Sequence, residues 1–569
     1  MDNIAILQKG TLGNMYECAI SRLIYKIAPQ THADAYIGAH GDWFAESEFA
    51  GKYLDTCVRT AITDPDNNRA QKALENARIV VRAIIENQRA DGYIGGLCEG
   101  GEKRCFSVWN QAFTMIGLCS FAEAFPEDPL AAPAVEAARR IACYNASIFC
   151  SDRSILEGIN NGSQHLSLLL GLVRLLRLTP DPEVRRFTEH IVDCIKSSDN
   201  NFFGFESILD LRSKKGIENF VILIGMLEYG ELFGDDGALS ACVRYWDELE
   251  KTQIRPNGNG TLHEVWTEGG NEPRFLGLGM NPDENCVAVG WIELSLALYY
   301  RLGDKKYIDA VERAVFNHLL GALSDDGSDF AYYQPNFGHR ITKTDASMYK
   351  CCRYRGYSAV SILPYMIFHR RGESIETLLY SDARYDDGDI ELIEHSEFPY
   401  GSEASLEITN KTHNVKALRL RVPAEARLDA KLVDCSVGTV GDGFIELALD
   451  ELPGQFTLRL DFDVETKLME AVIDGQKYVL GKHGCILLAA ETDCPEPEPS
   501  DTLNQNTAAV SDYYFERLSA LSVSPDAQPV PIRANDSRLA YRVGELVFKD
   551  FASAGRQQGK AFTVYVRCG

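Results

Sequence analysis

The chain has 569 residues, 45% of them hydrophobic and 24% charged, the balance of an ordinary soluble globular protein. Its 57 Lys and Arg against 82 Asp and Glu leave a net charge of −25 and a pI near 4.9. Such a surface repels phosphate backbones and anionic lipid, which argues against nucleic acid and membrane surfaces as partners.

The first residues, "MDNIAILQKG", carry no basic stretch leading into a long apolar core, so no signal peptide is expected. No run of eighteen apolar residues occurs, so no membrane-spanning helix is expected either. The 16 cysteines are then expected to be reduced and the protein cytoplasmic.

Through the first two thirds of the chain an apolar helix repeatedly ends in a short Asp-containing turn, and an amphipathic helix follows. The turns fall around Asp64, Asp128, Asp181, Asp235 and Asp304, at intervals of 53 to 69 residues. Asp at a helix start caps the free N–H groups, and Pro fits the first helical position. The helix before each turn, such as "WIELSLALYYRL", is apolar on more than one face and reads as buried; its successor keeps a charged outer face. Five or six such αα-hairpins predict a closed toroid of inner and outer helices. After about residue 371 the period changes to two. "ALRLRVPA", "FTLRLDFD" and "AFTVYV" read as half-buried antiparallel strands, and "ETDCPEPEPSDTLNQN" as a surface loop. The expected division is a helical domain over 1–371 and a β-sandwich over 372–569.

Two helix entries carry chemistry. "NPDENCVAVGW" puts Glu284 and Cys286 just ahead of a long apolar helix, with Asp283 as its expected cap. Residues at i and i+2 do not share a helix face, so they converge only where the chain is still extended, at the entry. "MYKCCRYRGY" puts Cys351 and Cys352 ahead of another apolar run, and adjacent cysteines are poorly placed to bond to each other. Two such entries at one mouth of the toroid bring a carboxylate and three thiols together, a set that suits tetrahedral zinc. Buried, unliganded cysteines are the competing explanation.

Several motifs resemble those of glycoside hydrolase family 127, the β-L-arabinofuranosidase family. Glu284-Asn285-Cys286 is similar to its E-T-C motif, "YYQP" at Tyr332–Pro335 to its Y-Y-T-P, and Cys351-Cys352 followed by "RGYSAVSILP" to its C-C-x-x-x-G segment. "ENQRADGYIGG" resembles its Q-x-x-D-G-Y loop, and the last strands its terminal pattern. The resemblance implies an (α/α)6 barrel followed by a β-sandwich, with zinc on Glu284, Cys286, Cys351 and Cys352. It implies Cys351 as a nucleophile in a retaining hydrolysis. Covalent catalysis of this kind divides one hard displacement into two. The family's acid/base would lie in "TLHEVWTEGGNEPRF", where Glu264 fits best and Glu268 and Glu272 are rivals.

His165 falls where the family has a substrate-contacting histidine. Tyr332, Tyr333 and Trp266 can face a sugar, although core packing accounts for such aromatics equally well. Arg353 beside the cysteine pair could bind a carboxylated sugar. Trp109-Asn110 and "GIENFVILIGML" lack histidines that arabinofuranosidases carry, so the sugar-reading positions drift while the metal and nucleophile positions remain. The expected substrate is an oligosaccharide or glycoside ending in L-arabinofuranose or a related, possibly acidic, sugar. Two other functions stay open: a carbohydrate-binding barrel with structural zinc, and a sugar lyase or epimerase on the same toroid. A homodimer stays open as the assembly.

Overall fold

In the computed structural model of the chain, residues 4–37, 46–95, 107–272, 277, 281–340, 350–432, 435–495 and 508–569 are described. Among the described residues, the twelve longer helices of the first part are α1 (Gly10–Lys26), α2 (Glu46–Thr63), α3 (Asn67–Asn87), α4 (Ser107–Ala124), α5 (Ala131–Phe149) and α6 (Leu168–Leu178), then α7 (Pro182–Lys196), α8 (Gly216–Phe233), α9 (Asp236–Thr252), α10 (Asn285–Leu302), α11 (Lys305–Arg313) and α12 (Lys350–Ser361). The even-numbered helices pack each on the next, and α12 returns to α2, so the inner ring closes. Outside it, α3, α5, α7, α9 and α11 each lie on the inner helix before them, and α1 lies on α12. The architecture is an (α/α)6 barrel.

The sequence explains which helix goes inside. In α8, Ile217, Phe220, Val221, Ile222, Leu223 and Ile224 are all buried, so no face is left for water. Outer α7 buries one stripe, Val184, Phe187, Ile191, Val192 and Ile195, and turns its charges outward. Each such side chain taken fully out of water contributes roughly 1.5–3 kcal/mol. Asp181, Asp235 and Asp304 cap α7, α9 and α11 by accepting from backbone N–H groups of the first turn. In the first hairpin the cap is Asp66, two residues beyond the expected Asp64, which instead binds Arg69 at 2.5 Å. Inner helices α8 and α10 end on Gly234 and Gly303, both left-handed, a conformation that costs glycine nothing.

The main run of strands begins at Phe368; with Ile6–Leu7 and Phe337–Gly338 from the helical part, the described strands form three sheets of seven, five and ten. "ALRLRVPA" contributes Ala417–Arg421, "FTLRLDFD" contributes Gln455–Val464, and "AFTVYV" contributes to Lys560–Thr563 and Val566–Cys568. Pairing is antiparallel apart from Ser374–Thr377 with Ala417–Arg421 and Ser522–Val523 with Val566–Cys568. Of the expected loop over 491–506, residues 496–506 lie outside the described residues. No described helix is long and apolar enough to cross a membrane.

Barrel and sheets are joined through buried polar contacts. Arg421, at the end of a strand of the five-stranded sheet, is fully buried. It donates to Asp309 at 2.7 Å and to the fully buried Glu312, both on α11. Removing one partner of a buried ion pair leaves a bare charge in the interior, at a cost of about 3–5 kcal/mol. Arg421→Met should therefore lower the thermal unfolding midpoint followed by circular dichroism; an unchanged midpoint would show the pair to be dispensable. The ten-stranded sheet reaches the barrel mouth. Its Lys560–Thr563 strand pairs with Phe337–Gly338, two residues beyond the Tyr332–Pro335 segment. Arg340 is sandwiched there by Phe551 and Phe562, 4.1 and 4.4 Å from the ring centres.

Candidate active site

The site lies where inner helices begin. Ahead of α10, Asp283 sits in the left-handed region at φ +56°, fully buried. It is not the helix cap: Glu284 holds that position, while Asp283 binds Arg255 and accepts from Asn257 Nδ2 at 2.8 Å. The next peptide is pinned from two sides. Asn259 Nδ2 donates to the Glu284 carbonyl at 2.8 Å, and Asn285 N–H to the Tyr332 carbonyl at 2.9 Å. With its main chain fixed, Glu284 directs its carboxylate at the start of α12.

There the three thiols meet. Cys286 Sγ lies 3.2 Å from Cys351 Sγ and 3.1 Å from Cys352 Sγ, and the Cys352 thiol reaches Glu284 Oε1 at 3.7 Å. Cys286 N–H donates to Cys352 Sγ at 3.3 Å, and Asn285 Nδ2 to the Cys352 carbonyl at 3.0 Å, which locks the two helix entries together. Glu284, Cys286 and Cys352 present ligand atoms all within 4.8 Å of one another. Cys351 joins this group through Cys286. Glu284 Oε2 is buried without a hydrogen-bond partner, which a buried carboxylate rarely tolerates. Three sulfurs and an under-satisfied carboxylate fit a thiolate-preferring metal ion.

Two charged pairs flank the cluster, and neither was expected from the sequence. On α2, Lys52 Nζ lies 3.1 Å from Cys351 Sγ and binds Glu48, whose Oε1 is 3.3 Å from the same sulfur. Burial and the neighbouring sulfur push the Glu48 carboxyl up to about 8. Hydrogen bonds from Cys286 and Cys352, then Lys52, hold the Cys351 thiol well below its ordinary value, while burial raises Cys286 and Cys352. On the other flank, Lys215 precedes α8 and bridges Glu264 to Glu284, 4.0 Å from Glu284 Oε2. Burial, only partly offset by Lys215, pushes Glu284 up to about 8. Glu218, one turn on, is raised to about 7 by burial and accepts from Asn160 at 2.6 Å.

Glu264 stands at φ +68° in a tight turn, with Tyr333 donating to one carboxylate oxygen and Lys215 to the other. Its rivals Glu268 and Glu272 are exposed. Tyr333 thus contacts Glu264, and Tyr332 packs against Tyr333 with ring centres 4.5 Å apart. The remaining candidates are either buried in the packing or paired with other groups. Trp266 is buried, edge-on to Phe220 at 5.6 Å. His165 is fully buried, its ring 5.3 Å from Phe149 and tight against Gly158, and burial lowers its pKa to about 4. Arg353 pairs with Asp329 at 2.8 Å. Arg355, one turn beyond Cys351, pairs instead with Glu293 of inner α10 at 2.6 Å. Helical geometry accounts for this, because i+4 shares the face of Cys351 and i+2 does not. Asp91 forms a turn, accepting from the Tyr93 N–H at 3.2 Å, and Trp109 packs in the core against Phe113. In "ESEFAGKYL" the one available signal for the missed pair was Glu and Lys at i, i+4 within a helix buried on every side.

Comparison with known proteins gives the family and the fold. The family described as "Beta-L-arabinofuranosidase, GH127 catalytic domain" matches residues 16–363. A non-reducing end beta-L-arabinofuranosidase of Bifidobacterium longum subsp. longum is 19% identical over 493 residues, covering 76% of this chain and 72% of that one. A solved GH127 beta-arabinofuranosidase superposes with a TM-score of 0.74 at 15% identity, covering 100% of this chain and 98% of the other. A GH127 beta-L-arabinofuranosidase from Geobacillus stearothermophilus T6 gives 0.74 at 14% identity, covering 99% and 100%. At such identity the superpositions speak for the fold, and the family match spans more than half of the chain: this protein is a glycosidase and belongs to glycoside hydrolase family 127.

Proposed function

We propose that the chain is a retaining exo-glycosidase. It would remove a terminal L-arabinofuranose or a related sugar, an acidic one included, from an oligosaccharide or glycoside. Cys351 is the nucleophile, Glu264 the acid/base, and Glu284, Cys286, Cys351 and Cys352 hold zinc, with the catalytic domain over 1–371 and the β-rich domain over 372–569. The observation that carries this reading is the placement of Cys351: it is the thiol of the cluster that touches an ammonium group, and the one whose pKa is lowered. When bound, zinc supplies the positive charge that keeps its sulfur ligands deprotonated at neutral pH.

The chain's own residues supply the rest. Cys351 Sγ forms a bond to the anomeric carbon as the bond to the leaving oxygen breaks, and Glu264 passes its proton to that oxygen. In the second half Glu264 takes a proton from water, the water oxygen bonds to the same carbon, and Cys351 departs. Two displacements leave the anomeric configuration as it began. Tyr333 and Lys215 hold Glu264 in place between them. Among the described residues the cysteines are free thiols, which suits a reducing compartment, and we place the enzyme in the cytoplasm.

Turnover of a panel of aryl furanosides and pyranosides, neutral and carboxylated, by zinc-loaded protein tests the activity; no release from any member would defeat it. Metal analysis should find one zinc per chain. Cys286→Ser and Cys352→Ser should each lose most of it, because a site short of one ligand binds far more weakly. Zinc retained in both would remove these residues from the ligand set.

A further inference from the structure

Lys52 and Lys215 are each placed against a proposed metal ligand. Lys52 is buried, with its Nζ 3.1 Å from Cys351 Sγ and 4.6 Å above the Phe113 ring centre. Lys215 has its Nζ 4.0 Å from Glu284 Oε2. Each also holds one carboxylate, Glu48 for Lys52 and Glu264 for Lys215. A simple ion pair needs only that carboxylate. In both cases the ammonium group additionally reaches a ligand atom, at the two ends of the same cluster.

The charge of the ligand set gives this arrangement a purpose. Three thiolates and one carboxylate bring four negative charges, of which a divalent cation neutralises two. The remainder sits in a buried site, where uncompensated charge is strongly unfavourable. We propose that Lys52 and Lys215 are positioning residues of the metal centre, built-in counter-cations that offset this excess negative charge, Lys52 at the Cys351 sulfur and Lys215 at the Glu284 carboxylate. This rests on the zinc reading given above. It assigns the two lysines to the metal centre itself, in addition to their contacts with Glu48 and Glu264.

The test uses full-length protein and zinc, with affinity measured by competition against a chromophoric chelator. Lys52→Met and Lys215→Met should each weaken zinc binding about 10- to 100-fold, the range found when groups that support metal ligands are removed. Lys215→Arg, at a position with side-chain exposure of 20%, should restore most of the affinity. Cobalt substitution separates the two lysines. Losing the ammonium beside a thiolate raises the energy of the sulfur lone pair. Lys52→Met should therefore move the sulfur-to-cobalt charge-transfer band to longer wavelength. Lys215→Met, whose partner is an oxygen, should leave that band in place. If Lys52→Met does not fold, Lys215→Met still tests the proposal by affinity, and Lys52→Arg tests it by the band. Zinc affinities within twofold of the wild type in the folded variants would overturn the inference while the zinc site stood. A wild-type protein that bound no zinc would overturn the site itself, and this inference with it.

Discussion

Cys351→Ala should abolish turnover, by roughly 10⁴-fold or more in kcat/KM, even for aryl glycosides with activated leaving groups. No covalent intermediate can form without the sulfur, and losses of this size follow removal of a nucleophile. A good leaving group does not relieve the defect, because the missing step is bond formation to carbon. The variant also loses a proposed metal ligand, so the kinetic loss needs a companion measurement. Wild-type enzyme quenched during turnover of a slow substrate should carry one sugar residue on Cys351, found by mass spectrometry of the peptide. The lowered pKa of this thiol, set against the raised values of Cys286 and Cys352, predicts that iodoacetamide labels Cys351 first and inactivates in proportion. The first product seen by NMR should retain the substrate's anomeric configuration; inverted product at early times would eliminate the nucleophilic cysteine.

Glu264→Gln should divide substrates by leaving group. A poor leaving group needs its oxygen protonated as the bond breaks, so its rate should fall by about 10²- to 10⁴-fold. An activated aryl group needs little help, so its first transfer should be nearly intact while hydrolysis of the intermediate slows, giving a burst. Azide, which needs no base, should restore the second step. Gln keeps a partner for the Tyr333 hydroxyl and differs from Glu mainly in its proton and charge. Full activity in this variant would move the acid/base role to Glu268 or Glu272, whose exposed positions make them poor candidates on geometry. The cysteine argument would be untouched.

How much of this was legible in the sequence follows from the range of the interactions concerned. The alternation of all-apolar and one-sided helices, the capping aspartates at 181, 235 and 304, and the switch to period two are local patterns. Local burial demands and N–H satisfaction fix them within a few residues of chain, and the barrel and the strands follow. The convergence of Glu284, Cys286, Cys351 and Cys352 was also readable, because both segments announce themselves as helix entries. The charged flanks were not. Lys52 and Cys351 are 299 residues apart, and Lys215 and Glu264 are 49 apart. Near Lys52 the sequence offers only Glu48 at i−4 inside an all-buried helix, which hints at a buried pair but says nothing of a sulfur. Closing the ring, which seats α12 against α2, decided that its ammonium faces a sulfur. Tertiary packing likewise set Arg355 against Glu293 and Arg353 against Asp329, and buried His165 and Trp266. Sequence determined which residues could do chemistry, since side-chain identity and local periodicity are written residue by residue; only the tertiary structure decided which charges stand beside them, since Coulombic partners are set by distance in space.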